Sequence, residues 1–327
     1  MPDVFNPDFL VVSDRYAETM NDQVLPFLKA REKESVLKAA DGTPLCCFVW
    51  EAENPAGTVL VLHGFTENAF KYSELVYSLL RNNFSVLSYD QRGHGRSGRP
   101  EGIFDPSVTH VDRFDLYVSD LKQVCGELLT GLPKPWAIFA HSMGGAVAAL
   151  FLEQYPEVFS AAALSSPMIS PNTGVPRFAA KLMCGAACLF GRGRHYPFFM
   201  KPYSGPEDFE TSCATDPARF AWYDTAKAER TEFRNSVPTY RWILESIGVT
   251  GTILAPGKPE SVICPVLLST AGNDSSVMPD AQERFIGRVP KGKHIFVKES
   301  RHEIFRSVNE VFFPWWHEVL AFLKTDA

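Results

Sequence analysis

The fold of this chain is decided by residues 136–145, which read WAIFAHSMGG. An apolar run ends at Ser142, and an alanine-rich segment of helical character follows directly and continues to Gln154. Small residues two positions on either side of a serine are typical of a sharp strand-to-helix turn that exposes a nucleophile. Ala140 stands where the strict G-x-S-x-G pattern has glycine, a departure of one methyl group. Ser142 is therefore the candidate nucleophile, and a serine in an ordinary strand-to-helix turn is the alternative.

Short apolar runs alternate with longer helix-period segments on both sides of this turn. This alternation predicts an α/β protein with a mostly parallel sheet of eight strands and helices on both faces. The predicted strands are residues 58–62, 85–89, 136–140, 161–165, 266–270 and 294–297, preceded by an antiparallel hairpin over residues 34–51. The predicted helices are residues 69–81, 111–129, 144–154, 280–289 and 308–323.

Residues 171–261 interrupt this alternation, because they contain no run typical of a buried strand. Helix-like pieces at residues 175–190 and 216–234 are separated by proline and glycine. Ligands of open α/β sheets bind at the carboxyl ends of the strands, so an insertion there covers the site. We therefore predict an α/β core formed by residues 1–170 and 262–327, and a helical cap formed by residues 171–261.

A serine hydroxyl needs an adjacent base to act as a nucleophile near neutral pH. His302 follows the last predicted strand, and histidine titrates in the right range for a general base. An orienting carboxylate is expected between nucleophile and base in the chain, and Asp274 follows the preceding strand. Asp280 is the nearest rival, but it is expected to begin a helix. The sequence therefore predicts a Ser142, Asp274 and His302 triad.

Two backbone amides are candidates for stabilising an oxyanion. The first belongs to Met143, which follows the nucleophile, and the second to Phe65, in the loop after an earlier strand. His63 in that loop is interpreted as a structural histidine. Residues 90–98 (DQRGHGRSG) could suggest a phosphate loop or a metal site, but they lack the required continuation, so a structural turn is favoured.

The composition excludes several classes of function. A net charge of −6 gives no basic footprint for nucleic acid. The seven cysteines form no C-x-x-C pair, so zinc and redox roles are disfavoured, and no metal or other cofactor is expected. No basic leader precedes an apolar run, and no stretch approaches the roughly 18 apolar residues of a membrane span. A cytoplasmic location is expected, with peripheral contact at the inner membrane as an addition.

Four segments resemble the bacterial lysophospholipase and monoacylglycerol lipase branch of the α/β-hydrolases. They are residues 63–68 (HGFTEN), 89–98 (YDQRGHGRSG), 140–145 (AHSMGG) and 300–303 (SRHE), and residues 238–242 (PTYRW) add a further likeness. The resemblance implies hydrolysis of an acyl ester on a glycerol-type head group through an acyl-enzyme, with a small lipid or ester as the partner. Within these segments, Glu67 and His141 are expected to bind substrate.

Two alternatives to a lipid hydrolase stay open at this point. A short-chain carboxylesterase or peptidase has the same fold, and a non-catalytic ligand-binding member is less expected because the triad is intact. Residues 171–205 combine apolar and basic side chains with no aspartate or glutamate. That composition predicts weak peripheral contact with anionic lipid through the cap, or entry of an acyl chain; a helix packed on the core is the alternative.

Overall fold

A twisted sheet of eight strands organises the protein, and the computed structural model describes residues 4–326. The strand order is β1-β2-β4-β3-β6-β7-β9-β10, and β5 pairs with β8 in a separate two-stranded ladder. Within the large sheet β2 runs antiparallel to both of its neighbours, and every other adjacent pair is parallel. The strands are β1 (Glu32–Lys38), β2 (Pro44–Trp50), β3 (Gly57–Leu62), β4 (Phe84–Tyr89), β5 (Val108–Thr109), β6 (Trp136–His141), β7 (Ala161–Ser165), β8 (Val237–Pro238), β9 (Val266–Ala271) and β10 (Gly292–Val297).

The central strands are continuous apolar runs because helices cover both faces of the sheet. Every residue of β3, β4, β7 and β9 is buried, whereas the edge strand β10 has exposed and half-buried residues. The helices are α1 (Tyr16–Thr19), α2 (Leu25–Lys29), α3 (Ser73–Arg81), α4 (Asp115–Glu127), α5 (Met143–Gln154), α6 (Arg177–Leu189), α7 (Pro217–Glu229), α8 (Tyr240–Ile253), α9 (Pro279–Ile286) and α10 (Asn309–Asp326). The predicted mostly parallel sheet with helices on both faces is confirmed.

Two hydrophobic clusters cover the two faces of the sheet. One includes buried side chains of α4, α5 and α9, and the other includes those of α3 and α10. The second cluster also contains the N-terminal helical segment, in which a π-helical turn over Met20–Val24 joins α1 to α2. The packing partners of this segment include α3 and α7, which lie far away in the chain, so no local pattern predicts it.

The segment between β7 and β9 contains α6, α7 and α8. The helix-like pieces at residues 175–190 and 216–234 correspond to α6 and α7, whereas α8 was not predicted. The insertion also contains one very short strand. Val237 and Pro238 form β8, which pairs in parallel with Val108 and Thr109 of β5. Such a two-residue ladder is too short to leave an apolar run in the sequence.

In the described part of the chain, no helix is long and apolar enough to cross a membrane.

Candidate active site

Ser142 lies in the turn between β6 and α5, in a backbone conformation that serine rarely adopts. Its φ is 50° and its ψ is −117°, and positive φ costs energy for a residue with a Cβ. The turn closes only because its neighbours are small. A Cβ on Gly144 would lie 2.5 Å from the His63 carbonyl oxygen, and one on Gly145 would lie 2.5 Å from Pro167 Cβ. Ala140 is fully buried, so its extra methyl fits within the core.

The structure brings Ser142, His302 and Asp274 into one hydrogen-bonded chain. Ser142 Oγ lies 2.8 Å from His302 Nε2, and His302 Nδ1 lies 2.7 Å from Asp274 Oδ2. Asp274 and His302 follow β9 and β10, so all three side chains meet at the carboxyl edge of the sheet. The side chains of Asp274 and His302 are buried, and Ser142 is 7% exposed.

Asp274 is held in its charged form. Its second oxygen, Oδ1, accepts hydrogen bonds from the amides of Ser276 (2.8 Å) and Val277 (3.1 Å). Burial by itself would raise the pKa of Asp274, but the His302 ring and these hydrogen bonds outweigh it, and the pKa is lowered. An ionised Asp274 accepts a hydrogen bond from the Nδ1–H group of His302, which leaves Nε2 unprotonated and able to accept a proton from Ser142.

The two predicted oxyanion donors flank the serine. Met143 is the first residue of α5, and the loop containing Phe65 packs against the nucleophile, since a Cβ on Gly64 would lie 3.0 Å from Ser142 Cβ. Within residues 4–326, neither the Phe65 amide nor the Met143 amide donates a hydrogen bond to another group. Both amides are therefore available to a ligand. The Phe65 ring also packs on Trp242 of α8, with ring centroids 4.1 Å apart.

Glu67 lies behind the oxyanion loop, with a side chain only 2% exposed. Its Oε2 accepts hydrogen bonds from the Gly64 amide (2.7 Å) and the Tyr72 hydroxyl (2.6 Å), and its Oε1 accepts one from Lys71 (2.8 Å). Because these internal groups use both oxygens, the geometry favours a positioning role for Glu67 over the predicted contact with substrate.

His141 is likewise enclosed by protein. Its Nδ1 donates to the Ser165 carbonyl oxygen (3.0 Å), and its ring centroid lies 4.8 Å from that of His302. Burial lowers the pKa of His141 to about 4, so the ring is neutral near pH 7. His141 therefore packs as an uncharged neighbour of His302, and this placement also favours a positioning role over substrate binding.

Two charged residues next to these groups were missed by the sequence analysis. Lys71 and Glu303 form a buried ion pair, with Nζ 2.6 Å from Oε1. Lys71 is four residues after Glu67, and Glu303 follows His302, so the sequence places both beside predicted site residues. Their contact with each other joins residues 232 positions apart, which the spacing of the sequence does not reveal.

His63 and the loop after β4 have the structural arrangement that the sequence favoured. His63 Nδ1 donates to the Gly64 carbonyl oxygen (2.7 Å), and its Nε2 accepts from the Gln91 amide (2.8 Å). Asp90 accepts from two backbone amides, and Gly95 adopts a φ of +50° where a Cβ would collide with the Asp90 carboxylate. Across the described residues, no three His, Cys, Asp or Glu side chains are grouped to hold a metal ion.

Comparison with known proteins agrees with this geometry. Residues 53–309 match the family described as serine aminopeptidase, S33. The chain is 31% identical over 292 residues to lysophospholipase L2 of Escherichia coli K12, covering 83% of this chain and 81% of that protein. It is 34% identical over 152 residues to monoglyceride lipase of Rattus norvegicus, covering 46% and 47% of the two chains.

A solved structure shares the fold. The monoacylglycerol lipase of Paleococcus ferrophilus superposes with a TM-score of 0.67 at 20% identity, over 86% of this chain and 99% of that one. The sheet order and the serine turn at its carboxyl edge define an α/β-hydrolase. The chain belongs to the serine aminopeptidase S33 family of that fold, and its predicted likeness to the lysophospholipase and monoacylglycerol lipase branch is confirmed.

Proposed function

We propose that this protein is a serine hydrolase that cleaves carboxylic esters of glycerolipids through an acyl-enzyme intermediate. The observation that carries the proposal is the hydrogen-bonded chain from Asp274 through His302 to Ser142 at the strained turn. The amides of Phe65 and Met143, which make no hydrogen bond within residues 4–326, belong to the loop beside Ser142 and to the residue after it, where acyl transfer requires oxyanion donors.

The first half of the reaction forms the acyl-enzyme. Ser142 Oγ attacks the ester carbonyl carbon while its proton passes to His302 Nε2. The carbonyl oxygen becomes an oxyanion, which accepts hydrogen bonds from the Phe65 and Met143 amides. When the tetrahedral intermediate collapses, the carbon–oxygen bond to the alcohol breaks, and the leaving oxygen takes the proton from His302. Asp274 stays ionised throughout and stabilises the imidazolium.

The second half of the reaction releases the fatty acid. A water molecule attacks the acyl carbon and gives a proton to His302 Nε2, so the same oxyanion position is used again. The bond to Ser142 Oγ then breaks, and the serine recovers its proton from His302. The water supplies the hydroxyl group of the released acid and the proton that returns to Ser142, so both halves balance.

The glycerolipid assignment follows from the family relationship together with the insertion. The names of the relatives refer to lysophospholipids and monoglycerides, which share a glycerol backbone that carries one fatty-acyl ester. We assign residues 171–261 as a cap on a core of residues 1–170 and 262–327. Ser142 is nearly buried, and Trp242 of the insertion contacts the oxyanion loop, so the insertion forms one wall of the substrate path.

We also assign the outer surface of α6 to peripheral contact with anionic lipid. The buried side chains of α6, Ala180 and Cys184, lie on one side of the helix. The opposite side and the following loop form the cap apolar surface, a set of exposed side chains comprising Phe178 (76% exposed), Leu182, Leu189 (83% exposed), Phe190, Phe198 and Phe199. Residues 171–205 contain five lysines or arginines and no acidic residue. Apolar side chains framed by positive charge suit a membrane interface.

Vesicle flotation tests this surface. Wild type should float with vesicles rich in phosphatidylglycerol, bind less at high salt, and bind little to phosphatidylcholine alone. The double change Phe178→Ser/Leu182→Ser should weaken flotation several-fold while leaving hydrolysis of a soluble ester unchanged. Wild-type protein that stays wholly in the soluble fraction with anionic vesicles would refute the assignment.

Fatty-acid release is the test of the proposed activity. Lysophosphatidylcholine, monoacylglycerol of equal chain length, a p-nitrophenyl butyrate control and an aminoacyl p-nitroanilide should be compared for wild type and Ser142→Ala. We expect release from at least one glycerolipid in wild type and none in the variant. Hydrolysis of the short ester alone would keep the serine mechanism but support a short-chain carboxylesterase, and cleavage of the anilide alone would support a peptidase.

A further inference from the structure

A buried lysine connects the oxyanion loop to the base. Lys71, just before α3, has a side chain only 5% exposed, and its Nζ donates to two carboxylates. It lies 2.8 Å from Glu67 Oε1 and 2.6 Å from Glu303 Oε1. The proposed chemistry assigns no role to this lysine, and a buried lysine with two carboxylate partners is costly to desolvate.

One arm of this arrangement leads to the oxyanion loop. The Glu67 carboxylate that receives Lys71 also accepts the Gly64 amide at 2.7 Å. Gly64 directly precedes Phe65, whose amide is the proposed oxyanion donor, so Glu67 fixes the peptide next to that donor. The Tyr72 hydroxyl donates to the same oxygen at 2.6 Å and restrains Glu67 further.

The other arm leads to the base. Glu303 is the next residue after His302, and its amide donates to the Cys213 carbonyl oxygen at 3.1 Å. Its second oxygen, Oε2, accepts from Arg306 Nη1 at 2.6 Å. The backbone that carries the imidazole is therefore held from one side by Lys71 and from the other by Arg306.

The four ionised groups balance in charge. Lys71 and Arg306 contribute two positive charges, and Glu67 and Glu303 contribute two negative charges. Burial alone would lower the pKa of Lys71, yet the two carboxylates outweigh it and raise that pKa. Burial would raise the pKa of Glu303, but Lys71 and Arg306 hold it well below its usual range. The set is therefore fully ionised near pH 7, and removing one member leaves an uncompensated charge.

We propose that Lys71 is a positioning residue that sets the oxyanion donor and the base relative to each other, by binding Glu67 and Glu303 at once. This inference rests on the proposed serine mechanism. This role differs from a purely structural one. Glu67 binds Gly64, which precedes the oxyanion donor Phe65, and Glu303 directly follows the base His302. Loss of the cation should therefore lower the rate of acyl transfer more than it weakens binding of substrate.

Lys71→Met removes the charge and keeps much of the apolar stem. The matched control is Lys227→Met, because Lys227 is also buried and pairs with a single carboxylate, Glu207, at 2.5 Å. Neither partner of that control pair bonds to the oxyanion loop or to the residues beside His302. Each variant should be checked for folding by near-ultraviolet circular dichroism before any rate is measured.

Two rates are informative: hydrolysis of p-nitrophenyl butyrate and labelling of Ser142 by a fluorophosphonate. For Lys71→Met we expect both to fall roughly 10- to 100-fold, with KM changed less than about 3-fold, since an ångström-scale misplacement has about that effect. Lys227→Met should stay within about 2-fold of wild type on both rates. Lys71→Arg should recover most of the loss, because it keeps a cation between the carboxylates.

A double variant separates positioning from charge balance. Glu67→Gln/Lys71→Met removes one charge of each sign, so it should recover stability lost in Lys71→Met without recovering kcat. Folded Lys71→Met with wild-type kcat and labelling would overturn the inference, as would full recovery of kcat in the double variant. Wild type that is not labelled at Ser142 would instead refute the proposed serine mechanism, and the inference with it.

Discussion

Asp274→Asn is the change whose consequence follows most directly from the geometry. Asp274 Oδ1 accepts two backbone amides, at 2.8 and 3.1 Å, and only an oxygen can keep both bonds. The new amide nitrogen must therefore face His302 Nδ1, which lies 2.7 Å from Oδ2 in the wild type. Because two N–H donors cannot share that contact, the imidazole changes tautomer, and Nε2 then carries a proton toward Ser142.

An imidazole protonated at Nε2 cannot accept the serine proton, so acylation loses its base. The analogous change in a serine protease lowers kcat about 10⁴-fold, and we expect a loss of the same order here. That factor corresponds to about 5.5 kcal/mol of transition-state stabilisation. KM should change little, because no ground-state contact with the ester is removed.

The assay is kcat and KM for p-nitrophenyl butyrate at pH 7.5, with Asp280→Asn as the matched control. Asp280 is exposed in the first turn of α9 and was the rival acid in the sequence. The Asp280→Asn variant should keep kcat within about 2-fold of wild type, since Asp280 has no contact with His302. A folded Asp274→Asn variant with kcat within 10-fold of wild type would refute the assignment of Asp274 as the orienting acid.

Three further predictions concern stability and are measured by urea unfolding. Gly144→Ala should lower the free energy of unfolding by about 1–3 kcal/mol, because its Cβ would lie 2.5 Å from a backbone oxygen; an unchanged midpoint would contradict this. Arg219→Met should cost about 3–5 kcal/mol, since it leaves the buried carboxylates of Glu74 and Asp216 without their cation; a loss below 1 kcal/mol would count against it. Burial raises the pKa of Glu153 to about 8, so the native state binds an extra proton at this site, and the stability of wild type relative to Glu153→Gln should fall by roughly 3–5 kcal/mol between pH 4.5 and 8. Equal pH slopes in the two proteins would refute this.

The sheet and the serine turn could be predicted because their physical requirements leave local marks. A strand covered on both faces must be apolar throughout, as in β3 and β9, and such runs are visible without any knowledge of packing. The triad followed from the same logic, since the carboxyl ends of neighbouring parallel strands meet at one edge. Ser142 comes directly after β6, and Asp274 and His302 lie in the loops that follow β9 and β10, so their meeting needed no long-range information.

The features that the sequence does not predict depend on contacts between segments far apart in the chain. The N-terminal helical segment is held by Arg219, which donates to the Val11 carbonyl oxygen at 2.6 Å across 208 positions. Nothing in residues 10–30 alone indicates that partner. Glu67 and His141 illustrate the same limit within the site, because adjacency to a motif does not reveal whether a side chain faces the cavity or the protein. Their hydrogen bonds, rather than their positions in the sequence, place them behind the reacting groups.

Helices α8 and α6 of the insertion differ in how firmly they are attached to the core. Trp242 of α8 packs on Phe65 and donates to the Tyr117 hydroxyl of α4 at 3.3 Å, so α8 is attached both to the oxyanion loop and to α4 of the core. Helix α6 packs on α8 and leaves its apolar outer face uncovered. We propose that a movement that admits a lipid to the nearly buried Ser142 costs least at α6, because α6 packs mainly on α8. Displacing α8 would instead disturb the Phe65 amide that the proposed mechanism requires, so substrate entry at α6 leaves the catalytic geometry intact.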